Sequence, residues 1–261
     1  GYSVETVVTP NWRTDLSDET VDATLESWQQ NYREWYTEAT SKGKVDTLAT
    51  IYENGPQFFV IPQWVADEYS IRTIFDMEKH WDLFQGPEAR IRGVFHNCPS
   101  GGQCSEINPV KLEAYDLYKT YRVVDSDSYG ALEKTLNTAL VKREPVFAYY
   151  WAPTSLISQE QWYILEEPAH TPGCWNEVHA ASKNPVLRPM GQGCAYPNPE
   201  IQILASSRLR ERAPEVATLL SQMRVGIEPL EETAEWFRNH PNQEQGWEEA
   251  AIHYLTKYDD R

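Results

Sequence analysis

Two tryptophans, Trp28 and Trp151, stand where a short strand-like run gives way to a polar or proline-containing turn. Trp151 ends the run in PVFAYYWAPT, residues 145–154, where Val146, Phe147 and Ala148 read as a buried strand. Pro153 then stops the ladder, because it has no N–H to donate. Trp28 closes TVDATLESW, residues 20–28, ahead of QQN. A ring at the carboxyl end of a strand in an open α/β sheet lies where ligands bind, and its face suits a cation or a sugar. A quaternary ammonium group has no hydrogen-bond donor, so only quadrupole attraction and methyl burial can recognise it. At roughly 0.5–2 kcal/mol per ring face, three or four faces give about 2–8 kcal/mol. A micromolar site needs about 8 kcal/mol, so a polar contact or a closure must add to the rings. The plain alternative for a large aromatic is core packing. Trp81, Trp236 and Trp247 fit that reading, each at helical spacing beside apolar neighbours.

The other chemistry-bearing stretch is CPSGGQC, residues 98–104. Its Gly101-Gly102-Gln103-Cys104 segment either presents successive backbone N–H groups to an oxygen anion or is simply a tight turn. Glu106 follows as a solvated carboxylate or as a counter-charge for a bound cation. Four cysteines allow three pairings; joining Cys98 to Cys104 and Cys174 to Cys194 asks least of the backbone. A metal reading would lean on His96 beside Cys98, a weak donor set. No Gly-x-Ser-x-Gly, phosphate loop or His-Glu-x-x-His occurs. Glu166 and Glu167 are adjacent, and neighbours on an extended chain point opposite ways. No catalytic residue, metal or cofactor is expected.

At 261 residues the chain has room for one large or two medium domains. Its net charge of −16, from 39 acidic and 23 basic residues, would repel a polyanion, so a nucleic-acid partner is excluded. The longest apolar runs, such as FFVI at 58–61, fall far short of the roughly 20 residues that span a bilayer, so the chain reads as soluble. Residues 1–9 lack the basic start and apolar stretch of a leader. The four cysteines point to a chain already exported and processed.

Hydropathy patterning places these residues on an α/β alternation. Strands are expected over residues 1–8, 20–28, 45–52, 58–61, 91–95, 121–124, 146–151 and 201–205. Helices are expected over 31–40, 65–69, 74–84, 109–118, 128–142, 213–223, 228–239 and 245–258, with Pro214 and Pro229 near first-turn positions. The strand-helix-strand-helix-strand order over 91–151 favours parallel pairing. Residues 168–200 are rich in Pro and Gly and read as irregular. If the chain crosses between two lobes, the crossings belong near 58–62 and 197–203.

In sequence order, GYSVETV, TVDATLESW, GKVDTLATIYENGPQFFVIPQWVADEYSIRTIFDM, CPSGGQC, EPVFAYYWAPT, EEPAHTPGCW, GCAYPNPEIQI and APEVATLL resemble the periplasmic substrate-binding proteins of glycine betaine, choline and related quaternary-amine ABC transporters. The resemblance covers nearly the whole chain. It implies a type II periplasmic binding protein: two α/β lobes joined by two hinge strands, residues 1–60 with 200–261 forming lobe I and 61–199 lobe II. It also implies a small methylated-amine ligand, a permease of the inner membrane as partner, a periplasmic or lipid-anchored location, and no catalysis. Carried over by position, Trp28 and Trp151 stand for two cage tryptophans and Phe59 for a further ring. Gly102, Gln103 and Cys104 stand where backbone N–H groups meet a ligand carboxylate. Gly102 occupies the place of a third cage tryptophan of enteric betaine binders, and Tyr32 that of a carboxylate-binding histidine. Both departures point away from betaine specifically. The strand and helix that relatives carry before GYSVE are not in the sequence. The competing reading is a secreted carbohydrate-binding protein or glycoside hydrolase that stacks sugars on Trp and Tyr.

Overall fold

The computed structural model describes residues 1–9, 11–86, 89–157, 161–184, 186–187, 191–240 and 246–258. In chain order its elements are helix α1 (Trp12–Ser17), strand β1 (Ala23–Ser27), α2 (Arg33–Ser41), β2 (Val45–Tyr52), β3 (Gln57–Pro62), α3 (Gln63–Tyr69), β4 (Gln85–Gly86), β5 (Ala89–Asn97), α4 (Gln103–Ala114), β6 (Tyr121–Asp125), α5 (Tyr129–Lys142), β7 (Phe147–Trp151), β8 (Trp162–Ile164), α6 (Pro172–Lys183), β9 (Ile201–Ser206), α7 (Leu209–Arg212), α8 (Pro214–Gln222), α9 (Ile227–Arg238) and α10 (Gly246–Tyr258). Two 3₁₀ segments, Gln29–Tyr32 and Ile74–Phe84, complete the set. The chain divides into two units. The first takes Gly1–Gly55 and Pro199–Leu230; the second takes Pro56–Asn198 and the described residues of Glu231–Asp259.

In the first unit β9 lies between β1 and β2 and is antiparallel to both. Strand periodicity sends Ile201, Ile203 and Ala205 to one face, where they pack with Ala49, Ile51, Leu209, Ala217 and Leu220. Leu204 faces the other way, onto Leu16, Ala39 and Val45. Val45 and Ile51 belong to one strand yet serve opposite faces. The register shift between Thr47 and Ala49 accounts for this, because one extra residue reverses the parity of every side chain beyond it.

The second unit is built on a six-stranded sheet, β4-β5-β7-β3-β8, with β6 beside β5. β5 is parallel to both β6 and β7, as the strand-helix alternation requires, while β3 runs antiparallel between β7 and β8. Every residue of β3 is buried, which is why its sequence, QFFVIP, carries no polar alternation. Phe59, Phe95 and Phe147 meet edge to face at the centre of the core, with centroids 4.7–5.9 Å apart. Because β5, β6 and β7 are parallel, their carboxyl ends, Asn97, Asp125 and Trp151, share one edge of the sheet.

Four sequence expectations are corrected. Residues 1–8 form no strand despite their alternation: Val4 and Val8 are almost fully exposed, with no sheet to bury them. The helix expected over 109–118 spans Gln103–Ala114, starting at Gly102 and carrying Pro109 inside it. The stretch 168–200 contains α6, which opens on a Thr171 cap and Pro172. Trp247 is 76% exposed and stacks on Phe237 instead of entering a core.

Candidate functional site

In the second unit the loops that leave β5, β6 and β7 from their shared edge carry the candidate residues. The loop after β5 holds the Cys98–Cys104 disulfide, and Cys174 is bonded to Cys194, so the local pairing holds for both. That pairing consumes the Cys98 thiol and removes the donor on which a metal reading would rest. A chain of hydrogen bonds, buried at Asn108 and exposed at Asp125, fixes the base of the loop. Asn97 Nδ2 donates to Asp125 Oδ1 at 2.9 Å, and Ser100 Oγ donates to the second carboxylate oxygen at 2.8 Å. Asn108 Nδ2 donates to Asn97 Oδ1 at 2.7 Å, and Tyr196 OH donates to Asn108 Oδ1 at 2.6 Å.

Gly102 caps α4. Its own N–H is spent on Pro99 O and its carbonyl accepts from Ser105 N. Gln103 and Cys104 begin the helix, where backbone N–H groups have no acceptor within the helix. Their amides are the donors the loop offers, together with the positive end of the helix dipole. The Gln103 side chain is engaged elsewhere, its amide nitrogen lying 2.9 Å from His179 Nε2. Glu106 pairs with Lys183 at 2.6 Å and so ties α4 to α6.

Trp151, half-buried, is backed by Tyr150 in a near-parallel stack with centroids 4.5 Å apart, and Tyr149 lies 6.2 Å away. Tyr129, the first residue of α5, meets Trp151 edge-on, with centroids 5.2 Å apart and planes at 76°. The ring path runs inward from Tyr149 through Tyr196, 6.0 Å away, to the Lys111 ammonium, which lies 4.2 Å from the Tyr196 centroid and 4.7 Å from that of Phe59. Lys111 has no exposed surface and forms a 2.7 Å ion pair with Glu167, whose carboxylate also accepts from Tyr115 OH at 2.6 Å. Burial lowers the Lys111 pKa, with Glu167 opposing it, and burial beside Glu167 raises that of Tyr115. Phe59 therefore packs inside the core: Phe95 and Phe147 meet it edge to face, and the protein's own amine lies over its ring.

In the first unit Trp28 follows β1 and is half-buried. Its indole Nε1 donates to Glu26 Oε1 at 2.9 Å, and Tyr52 OH donates to the same oxygen at 2.8 Å. A Cβ on Gly55 would lie 2.8 Å from the Trp28 ring and 2.7 Å from Ile201, so only glycine lets the chain pass behind the indole. Tyr32 faces Arg13, whose guanidinium lies 4.3 Å from its ring centroid.

Sequence reasoning thus places Trp28, Trp151 and the 98–104 loop at strand ends, but overlooks Tyr129, Glu26 and the Lys111–Glu167 pair. Tyr129 was accessible: Ser128, whose side chain caps the helix, puts it at the first helical position after β6. Lys111 and Glu167 lie 56 residues apart in sequence, and nothing local to either announces the pairing.

The family model for the substrate-binding domain of ABC-type glycine betaine transport systems matches residues 1–257. No curated protein matches the chain. Among solved structures it is similar to the glycine betaine/L-proline-binding protein ProX of Borrelia burgdorferi, with 17% identity, TM-score 0.68, and 97% of this chain and 81% of that one covered. It is similar to lactococcal OpuAC in its closed form with glycine betaine, with 16% identity, TM-score 0.67 and coverage of 97% and 83%. It is also similar to an ABC-transporter choline-binding protein in complex with choline, with 16% identity, TM-score 0.66 and coverage of 98% and 78%. These likenesses establish the fold.

Proposed function

The chain belongs to the family of substrate-binding domains of ABC-type glycine betaine transport systems and has the type II periplasmic-binding-protein fold, and from that premise we propose that it captures a small quaternary or methylated amine outside the cytoplasm and delivers it to an ABC permease of the inner membrane. The observation that carries the reading is the position of Trp151, at the carboxyl edge of three parallel strands and beside Tyr129 and the α4 amino terminus. A methylated nitrogen on the indole face gains quadrupole attraction and methyl burial. An oxygen on the same ligand is within the chemistry of the Gln103 and Cys104 amides. In the first unit the Trp28 indole is a second candidate ring, held by Glu26.

Nothing in this arrangement needs a cofactor, metal or catalytic group. Among the described residues no helix is long and apolar enough to cross a membrane. The carbohydrate alternative draws only on ring stacking and has no counterpart in the family assignment.

Titration calorimetry with choline and glycine betaine tests the proposal. Trp151→Ala is expected to weaken the better ligand at least about tenfold, since one face contributes up to about 2 kcal/mol beyond its buried area. Trp28→Ala is expected to do the same independently. Unchanged affinity in a folded Trp151→Ala variant would remove that indole from the site, and failure of wild-type protein to bind any methylated amine would end the proposal.

A further inference from the structure

We infer that Tyr129 is a ligand-binding residue, its ring making with Trp151 a right-angled corner that receives the onium group next to the backbone of Gly102. The inference deepens the proposed function and rests on Trp151 being a ligand face. Three independent features of the second unit carry it.

The first is the geometry of the rings. With planes at 76° and centroids 5.2 Å apart, the two rings stand nearly perpendicular, the arrangement in which a recess between two faces lets a tetrahedral methylated nitrogen meet π density on more than one side. Parallel stacking of the same pair would leave no such recess. The far side of Trp151 is taken by Tyr150, so the indole is fixed from behind.

The second feature is exposure. Tyr129 is 47% exposed, although it touches one of the more buried parts of the unit. A tyrosine in the first turn of a helix has solvent available on every side. This one instead leans on Trp151 and brings its hydroxyl to within 4.0 Å of Cys104 Sγ. The hydroxyl thus lies beside the disulfide loop, while close to half of the residue's surface stays open to solvent. The Ser128 side chain, which accepts from Ala131 N at 3.1 Å, sets the start of the helix and so the direction in which Tyr129 departs.

The third feature is the residue opposite. A Cβ placed on Gly102 would lie 2.9 Å from the Tyr129 hydroxyl and 3.2 Å from both Cys104 Sγ and Pro99 O. The φ of Gly102 is −76°, so its backbone conformation does not call for glycine; the space does. Lack of a side chain at 102 lets the Tyr129 hydroxyl approach the loop. Tyr129 and Gly102 therefore form one steric unit, although they follow different strands.

The test measures choline against its neutral carbon isostere, 3,3-dimethylbutan-1-ol, which has the same shape without the charge. In wild-type protein choline is expected to bind more tightly, and the ratio of the two affinities reports the ring field. Tyr129→Phe keeps the ring and should stay within about threefold of wild type for choline. Tyr129→Leu keeps apolar bulk without a π face and should weaken choline by about five- to thirtyfold, one ring's share, with a smaller effect on the isostere. A purely structural role would lower both ligands alike and leave the ratio unchanged, which overturns the inference; so does a folded Tyr129→Leu protein with wild-type choline affinity. Gly102→Ala should weaken choline in the wild-type background and weaken it less when Tyr129 is already Phe, because the hydroxyl it strikes is gone. Equal losses in both backgrounds overturn the claim that the two residues form one unit. Trp151→Ala is run alongside. If it has no effect, the underlying site is wrong; if it abolishes binding while Tyr129→Leu does not, only the present inference fails.

Discussion

At the scale of single residues, the second unit already contains a cation held by rings. Lys111 lies between the Phe59 and Tyr196 faces and satisfies its charge on Glu167, its own side chain wholly buried and that of Glu167 nearly so. Removing one member of such a pair leaves the other charge buried without its partner, which costs about 3–5 kcal/mol. Lys111→Met is therefore expected to lower the unfolding free energy by about that much, and the double variant Lys111→Met/Glu167→Gln by less than the single change. Urea unfolding followed by circular dichroism checks this; a double variant less stable than Lys111→Met would show that the pair was not the source of the loss. Tyr115 hydrogen-bonds to the same Glu167 carboxylate, and the Lys111 ammonium packs on the Tyr196 ring, whose neighbour Tyr149 lies beside Trp151, so the lysine also supports the rings leading to Trp151. None of this is visible along the sequence, where Lys111 reads as one more polar residue of a helix with weak amphipathicity.

At the scale of elements, the two disulfides have different tasks. Cys174–Cys194 closes a loop of 20 residues over α6, and the chain-entropy relation gives about 3 kcal/mol for a loop of that size. Cys98–Cys104 closes six residues and constrains the chain less, but it pins the loop that positions Gly102. Replacing Cys174 and Cys194 by serine is expected to cost mainly stability, read as a lower Tm. Replacing Cys98 and Cys104 is expected to cost mainly affinity, read by choline titration at a temperature where the variant remains folded; equal ligand binding there would separate the disulfide from the site. The elements also show why the sequence was readable where it was. Strands β5, β6 and β7 each announce themselves by a short apolar run, and their parallel order follows from the intervening helices. Helix α6 was hidden because Pro172, Gly173 and the cysteines look like loop residues, although Trp175, Val178 and Ala181 fall on one side of it. The start of α4 escapes the hydropathy pattern because Pro109 lies inside the helix, whereas Gly102 sets its beginning. The residues 1–8 alternate correctly and form no strand, since alternation is of use only beside a partner.

At the scale of the whole molecule, the aromatic content that first suggests a ring-based site also governs its response to alkali. Burial raises the pKa of Tyr52, Tyr115, Tyr121, Tyr150 and Tyr196 above the usual value near 10, with Glu26 adding to the effect at Tyr52 and Glu167 at Tyr115. Unfolded, these phenols lose their protons near pH 10; folded, they keep them. The folded chain therefore holds more protons, and the stability they confer, fully present below pH 10, falls as pH rises beyond it. Lys111, with its lowered pKa, acts with the opposite sign but is a single group. Denaturant midpoints are expected to fall steadily from pH 9 to 11, with a fraction of the tyrosine absorbance at 295 nm appearing only on unfolding; midpoints flat across that range would contradict the burial. The order of strands in the first unit has a last consequence, for biosynthesis. Among the described residues β1 and β2 pair with β9 and not with each other, so neither has a strand partner until a segment some 150 residues beyond β2 has left the ribosome. The sheet of the second unit, wholly within 56–198, can assemble meanwhile. During synthesis the strand pairing of the first unit therefore waits on β9 while the second unit folds.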